Sequence, residues 1–297
     1  MLTNSVHSES RNSVLGLILG LIGITIFAGT LPATRIAVAS FDAGFLTFGR
    51  ALIAGLAAAV CLFVMKKKLP KQHLGALLFA GLALIFGFPG FMTLAMYTVP
   101  ASHGGVVLGI LPLATAVFAT ILAGERPSPL FWLCGIVGAV LIIVFTLRDG
   151  SWGFAIGDLW LLIAGITASA GYVVSGKLSR HMPGWEVISW ALILYLPVSA
   201  IVTAFFWQPA YLNAPESHIW AFAYVSLGSM FLGFFAWNTG LQLGGIAKVG
   251  QLQLLQTFIT LALAAIFVGE QITLEMLGFA AAVLLVVLVG RKAQVAR

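Results

Sequence analysis

The feature that most constrains this chain is a series of apolar runs, each about 20 residues long, recurring between Val14 and Val289 with short polar breaks. At ~1.5 Å per residue such a run makes a helix as long as the ~30 Å hydrocarbon layer of a bilayer. Inside that layer backbone N–H and C=O groups find no water, so only helices and closed barrels can span it. A barrel would show ~10-residue segments of alternating polarity, and none is visible. Ten spans can be drawn: 14–37, 44–64, 74–97, 104–123 and 130–147, then 159–175, 187–207, 219–241, 249–268 and 274–289. The expected fold class is therefore an all-α polytopic membrane protein. Composition agrees, with 8% charged residues against roughly 25% in soluble chains.

Two stretches of this series resemble each other. "SHGGVVLGILPLATAVFATILAGERPSPLFW" from Ser102 aligns without a gap on "AKVGQLQLLQTFITLALAAIFVGEQITLEML" from Ala247, at a constant offset of 145 residues. Identity is low, but the punctuation matches. Gly124 and Gly269 suit a left-handed helix end, and Ser128 and Thr273 suit the N-cap of the next helix. Gly23-Ile24-Thr25 recurs as Gly165-Ile166-Thr167. The period predicts two duplicated halves, residues 14–147 with helices 1–5 and residues 159–290 with helices 6–10. An odd number of spans per half inverts the second half relative to the first, the arrangement of many secondary transporters.

Charge gives an independent reading. With the N-terminus in the cytoplasm and alternating sides, twelve of the fifteen Lys and Arg fall on the cytoplasmic side and only Arg148 outside. Both termini are thus expected inside. The net charge of +6 follows from this topology and carries no nucleic-acid reading. The first apolar run continues past Gly29 without a cleavage site, so it is expected to be a retained helix rather than a signal peptide. Cys61 and Cys134 fall inside apolar runs and have no metal spacing.

Polar residues deep in such helices are the candidates for function. Thr25, Thr115, Thr167, Ser169, Ser229 and Thr260 lie near mid-span, where hydroxyls either line a solute path or join helices. Gln253, Gln256, Thr257 and Thr260 share one face of the ninth span at i, i+3, i+4 and i+7. An amide facing lipid costs several kcal/mol in order of magnitude, so this face is expected to point into the bundle or a wet cavity. Arg50 lies roughly 9 Å inside the second span. Capture of a substrate carboxylate, pairing with Asp42 or helix-end carbonyls, and snorkelling to the surface are all open for it. Arg35, near a helix end, is expected to snorkel. Tyr172, Trp237 and Asn238 complete the candidate set, although an aromatic belt explains most tryptophans without a ligand.

All nine Asp and Glu lie at or beyond helix ends, so proton coupling through a buried acid is not expected. His103 is expected to be interfacial surface. Gly87-Phe88-Pro89-Gly90 should kink or break the third span, because Pro removes a backbone hydrogen bond. No phosphate loop, nucleophile triad or metal cluster is present in the sequence, so neither an enzyme nor a cofactor is expected.

The stretches "FGRAL" with Arg50, "MYTVPASHGGVVLGILPLATAVFATILAGERPS" with Pro112 and Gly124-Glu125, and "FFAWNTGLQLGGIAKVGQLQLLQ" leading to "VGEQIT" resemble the EamA-type ten-helix members of the drug/metabolite transporter superfamily. Thr257 stands where that pattern has Pro in the second half. The resemblance implies an inner-membrane carrier, often an exporter of amino acids or other small metabolites, working by alternating access. The expected partners are a small neutral or zwitterionic solute and the lipid bilayer, with a homodimer left open. The alternative reading is a non-transporting membrane sensor or partner protein, whose bundle core would be dry.

Overall fold

The computed structural model describes residues 2–123, 126–127, 129–148, 155–244, 252–292 and 295–296; the side chains of residues 2–13, Pro112 and Gln253 are among those outside the description. Gly124, Glu125 and Ser128 also lie outside it. The helices are Leu2–Ala28 (α1), Thr30–Ala37 (α2), Ala43–Val64 (α3), Leu74–Gly81 (α4), Phe88–Ala95 (α5), Ala101–Val107 (α6), Leu111–Ala123 (α7) and Pro129–Arg148 (α8). They continue with Ile156–Leu178 (α9), Gly184–Phe205 (α10), Glu216–Ala223 (α11), Phe234–Gly244 (α12), Gln253–Val268 (α13) and Leu274–Lys292 (α14). The one extended pairing among the described residues joins Arg126–Pro127 to Val295–Ala296.

Among the described residues, six helical stretches are long and apolar enough to cross a membrane: 14–37, 43–64, 71–95, 156–178, 184–205 and 216–240. Four shorter apolar helices, within α7, α8, α13 and α14, accompany them. Large apolar side chains such as Phe63, Ile201 and Leu274 stand exposed on the outside of the bundle. In water that surface would drive aggregation; against acyl chains it is the matched solvent.

Several spans are interrupted, and proline chemistry accounts for three of the sites. Pro32 has no N–H to offer the Ala28 carbonyl, and the first span breaks between α1 and α2 at Gly29. Ahead of Pro89 the third span widens into a π-helical turn over Leu82–Gly87, where the sequence predicted a kink. Ahead of Pro112 the fourth span tightens to 3₁₀ geometry over Leu108–Ile110. A second π-helical stretch, Tyr224–Gly233, joins α11 to α12.

The helices pack in pairs that exchange when the two halves are exchanged. α1 lies on α12 and α5 on α9; α3 lies on α10 and α8 on α14. Among the described residues four buried clusters form, and two of them lie along these pairs. One gathers Ile24, Ala54, Ile85, Leu192 and Trp237; the other gathers Met92, Val107, Leu161, Leu261 and Val283. Tyr172 packs against both.

Side-chain contacts sort the connecting segments into two ends. At one end Tyr211 donates to the Asp42 carboxylate, Ser40 meets His218 at 2.5 Å, and Tyr97 donates to the Phe41 carbonyl at 2.9 Å. The Glu270 carboxylate belongs to the same end. It accepts from the amides of Ala101 and Ser102, both at 2.8 Å, and so caps the first turn of α6. At the other end Lys67 pairs with Glu186 at 2.6 Å and His73 stacks on His181. The hairpin punctuation is as expected in the second half. Gly269 has φ +74°, and the Glu270 amide turns back to the Ala264 carbonyl at 3.3 Å; the Thr273 hydroxyl accepts from the Met276 amide at 3.1 Å.

Candidate functional site

The break at Gly29 organises the polar interior. It leaves carbonyls in the middle of the bundle without their usual helical amides, a costly condition unless other donors replace them. Two side chains from the second half do so. The Thr260 hydroxyl donates to the Ala28 carbonyl at 3.0 Å, and the Tyr224 hydroxyl donates to the Ile26 carbonyl at 2.7 Å. A Cβ at position 29 would lie 2.4 Å from that tyrosine oxygen, so only glycine lets Tyr224 reach the backbone.

On one side of the break is a row of hydroxyls ending in a cation. Thr30 and Ser229 share a hydrogen bond of 2.7 Å, and Arg50 Nη2 reaches Ser229 at a long 3.4 Å. Arg50 is only 2% exposed, and its Nε and Nη1 have no partner. Two readings left open by the sequence are thereby removed. Arg50 does not snorkel, and it does not pair with Asp42, whose oxygens are taken by the Phe45 amide, Tyr211 and Gln208. Arg35, expected to snorkel, instead donates to the Met96 carbonyl at the end of the third span.

On the other side of the break, Gln256, Thr257 and Thr260 line a small cavity of about 10 Å³ with Leu31, Gly105 and Leu108. That volume holds about one water. The polar face of the ninth span therefore points inward at these three residues; the Gln253 side chain lies outside the description. Gly105 is matched to this contact, since a Cβ there would come within 2.9 Å of the Thr260 methyl.

The remaining candidates divide. Ser169 is fully buried with an unpartnered hydroxyl, and the Thr115 hydroxyl is likewise without a partner. Thr25 is a correction: it is exposed on α1 and spends its hydroxyl on the Leu21 carbonyl at 2.9 Å. Asn238 is occupied by helix packing, donating to the Gly184 carbonyl at 2.9 Å. Trp237 stacks edge-on against Phe27 and lies over Gly23, where a Cβ would meet its backbone at 2.8 Å. Both belong to helix joints rather than to the polar row.

His103 is not interfacial surface. It is buried with Asp158, the two joined at 2.7 Å and each 2% exposed. Glu186 and Trp190 are buried too. The acids do lie at helix ends, yet neighbouring helices shield two of them. A larger cavity of about 330 Å³, between α7, α8 and α9, is lined by Leu111, Val117, Ile136 and Leu162, and the Trp132 indole is the one lining side chain that carries a polar atom. Sequence reasoning missed Thr30, Tyr224 and Pro32. The Gly29-Thr30-Leu31-Pro32 run was the available signal, of the same kind as the Gly-Phe-Pro-Gly run in the third span.

The sequence profile of the EamA-like transporter family matches residues 14–148 and again 155–290. The uncharacterized transporter YdeK of Bacillus subtilis (strain 168) is 41% identical, over 93% of this chain and 97% of its own length. The aromatic amino acid exporter YddG of Ancylobacter novellus is 25% identical, over 82% of this chain and 84% of its own. A solved crystal structure, 20% identical, superposes with a TM-score of 0.64 over 93% of this chain and 97% of that one, a likeness of fold.

Proposed function

Because the chain belongs to the EamA-like transporter family and is a multi-pass membrane protein, we propose that it is a secondary transporter, working as an exporter of small metabolites such as amino acids or related neutral and zwitterionic solutes. The observation that carries this reading is the broken first span, whose orphaned carbonyls are held by Thr260 and Tyr224 of the other half around the Gln256 cavity. Broken helices at a repeat interface supply polar groups at membrane depth and a place to bend. Arg50, Thr115, Ser169, Tyr172, Gln253, Gln256 and Thr260 would line the path in this scheme. The fold would be ten helices in two five-helix repeats of inverted topology, in the inner membrane with both termini cytoplasmic. The 145-residue period, the exchangeable helix pairs and the lysine and arginine distribution support that arrangement.

Alternating access would then rock one set of helices against the other, breaking contacts at one end while those at the other hold. The name of the YddG relative puts aromatic amino acids first among solutes to try. Proteoliposomes loaded with a panel of amino acids, their amides and amines test the reading: the wild-type chain should release at least one of them faster than protein-free vesicles. If no member moves, transport is overturned. The small cavity then favours the alternative, a non-transporting sensor with a closed core.

A further inference from the structure

A guanidinium has five N–H donors and stays charged at any physiological pH. Burying one without a counter-charge is costly, and intramembrane ionisable groups pair with a partner or mark a substrate path. Arg50 is in that condition. It is almost fully buried in the second span, two of its three nitrogens are unpartnered, and the third makes one long contact to a neutral hydroxyl. The nearest acid along its own helix, Asp42, already caps that helix and receives Tyr211. The other buried acids among the described residues are engaged elsewhere, Asp158 with His103 and Glu186 with Lys67.

Deepening the transport reading, on which it rests, we propose that Arg50 is the anchor for a carboxylate and that the solutes of this protein are carboxylates, charged −1 or zwitterionic, rather than amines or uncharged compounds. Nε and Nη1 lie on different edges of the guanidinium, each edge shared with one N–H of Nη2; the single long Ser229 contact can occupy only one edge, which leaves the other for the twin oxygens of a carboxylate. Ser229 and Thr30 stand beside them as hydroxyls able to complete the anion's shell. No acid among the described residues is placed to take an amino group at this position, so the carboxylate is the recognised part and the amine is tolerated.

The test uses the purified full-length chain and two independent readouts. In proteoliposomes, L-phenylalanine, L-phenylalaninamide and phenethylamine are compared. The acid should move, and the amide and amine should move at least roughly 10-fold more slowly, the factor that loss of charge-assisted hydrogen bonds implies. In chloride-free buffer, acetate should raise the melting temperature of the wild type saturably, should do so weakly for Arg50→Lys, and should not do so for Arg50→Met. Without acetate, Arg50→Met should melt no lower than the wild type, because it removes an uncompensated charge. Equal transport of acid and amide, or an acetate response undiminished in Arg50→Met, overturns the assignment while leaving transport intact. If nothing is transported but acetate stabilises only the arginine protein, the anion site stands and the transport reading falls. An Arg50→Met protein that melts well below the wild type, with Arg50→Lys restoring stability and acetate shifting neither, makes Arg50 a structural cation and overturns it.

Discussion

Tyr211 and Asp42 come from opposite halves of the chain and meet at one end of the bundle, in a hydrogen bond beside an aromatic cluster of Phe41, Phe45 and Phe222. Burial and the neighbouring carboxylate both disfavour the phenolate, so the Tyr211 hydroxyl is pushed up from its ordinary value of 10.0 to about 12. A raised folded-state value means the native protein holds this proton more tightly than the unfolded chain does. The stability it contributes is complete below pH 10 and is lost as pH rises to about 12. Thermal unfolding of the purified protein should therefore show a steeper fall across that window in the wild type than in Tyr211→Phe. Equal slopes would mean that the contact does not hold in solution. At this scale the sequence was legible for Gln256 and Thr260, since helical periodicity alone decides which face they share. It was not legible for His103, because depth along a helix says nothing about which neighbours cover it, and here Asp158 and Phe145 do.

The broken first span is a property of an element, and its energetics can be tested as one. Pro32 removes an amide, the Ala28 carbonyl is orphaned, and Thr260 supplies the replacement donor. In Pro32→Ala the new amide can bond that carbonyl within the helix. Thr260→Val should thus cost about 1 kcal/mol in the native background, the usual net worth of a buried hydrogen bond or somewhat more. The same substitution should cost close to nothing when residue 32 is Ala. The coupling is read from a double-mutant cycle of unfolding free energies. Transport in the liposome assay should slow in Pro32→Ala, because a continuous helix bends less readily. Additive costs would show that Thr260 and Pro32 act separately. The Gly-Phe-Pro-Gly interruption was legible because two glycines flank the proline. The break at Gly29 lies within one drawn span, where the Gly29-Thr30-Leu31-Pro32 run was passed over, and its repair by residues more than 190 positions away could only come from the fold.

For the molecule as a whole, the six long spans were legible since the bilayer imposes their length. Their pairing was not, because lipid-facing and buried residues are both apolar and hydropathy does not separate them. The inverted-repeat proposal makes its sharpest claim at the two Gly-Glu hairpins. Arg126 and Gln271 occupy equivalent places in them, 145 residues apart, yet they should lie on opposite sides of the membrane. Gln271 is exposed next to Glu270, at the end where Tyr211 meets Asp42; Lys68 is exposed at the end where Lys67 pairs with Glu186. With Cys61 and Cys134 replaced, single cysteines at positions 126, 271, 213 and 68 report sidedness through a membrane-impermeant maleimide. Gln271→Cys and Asn213→Cys should label in intact cells, whereas Arg126→Cys and Lys68→Cys should label only after lysis. The charge argument demands this order, since moving Lys66, Lys67 and Lys68 to the outer face would reverse the bias that holds elsewhere in the chain. If Arg126→Cys and Gln271→Cys label from the same side, the halves are parallel. The exchange of helix pairs would then need another origin, and an exporter built on inverted halves would no longer describe this protein.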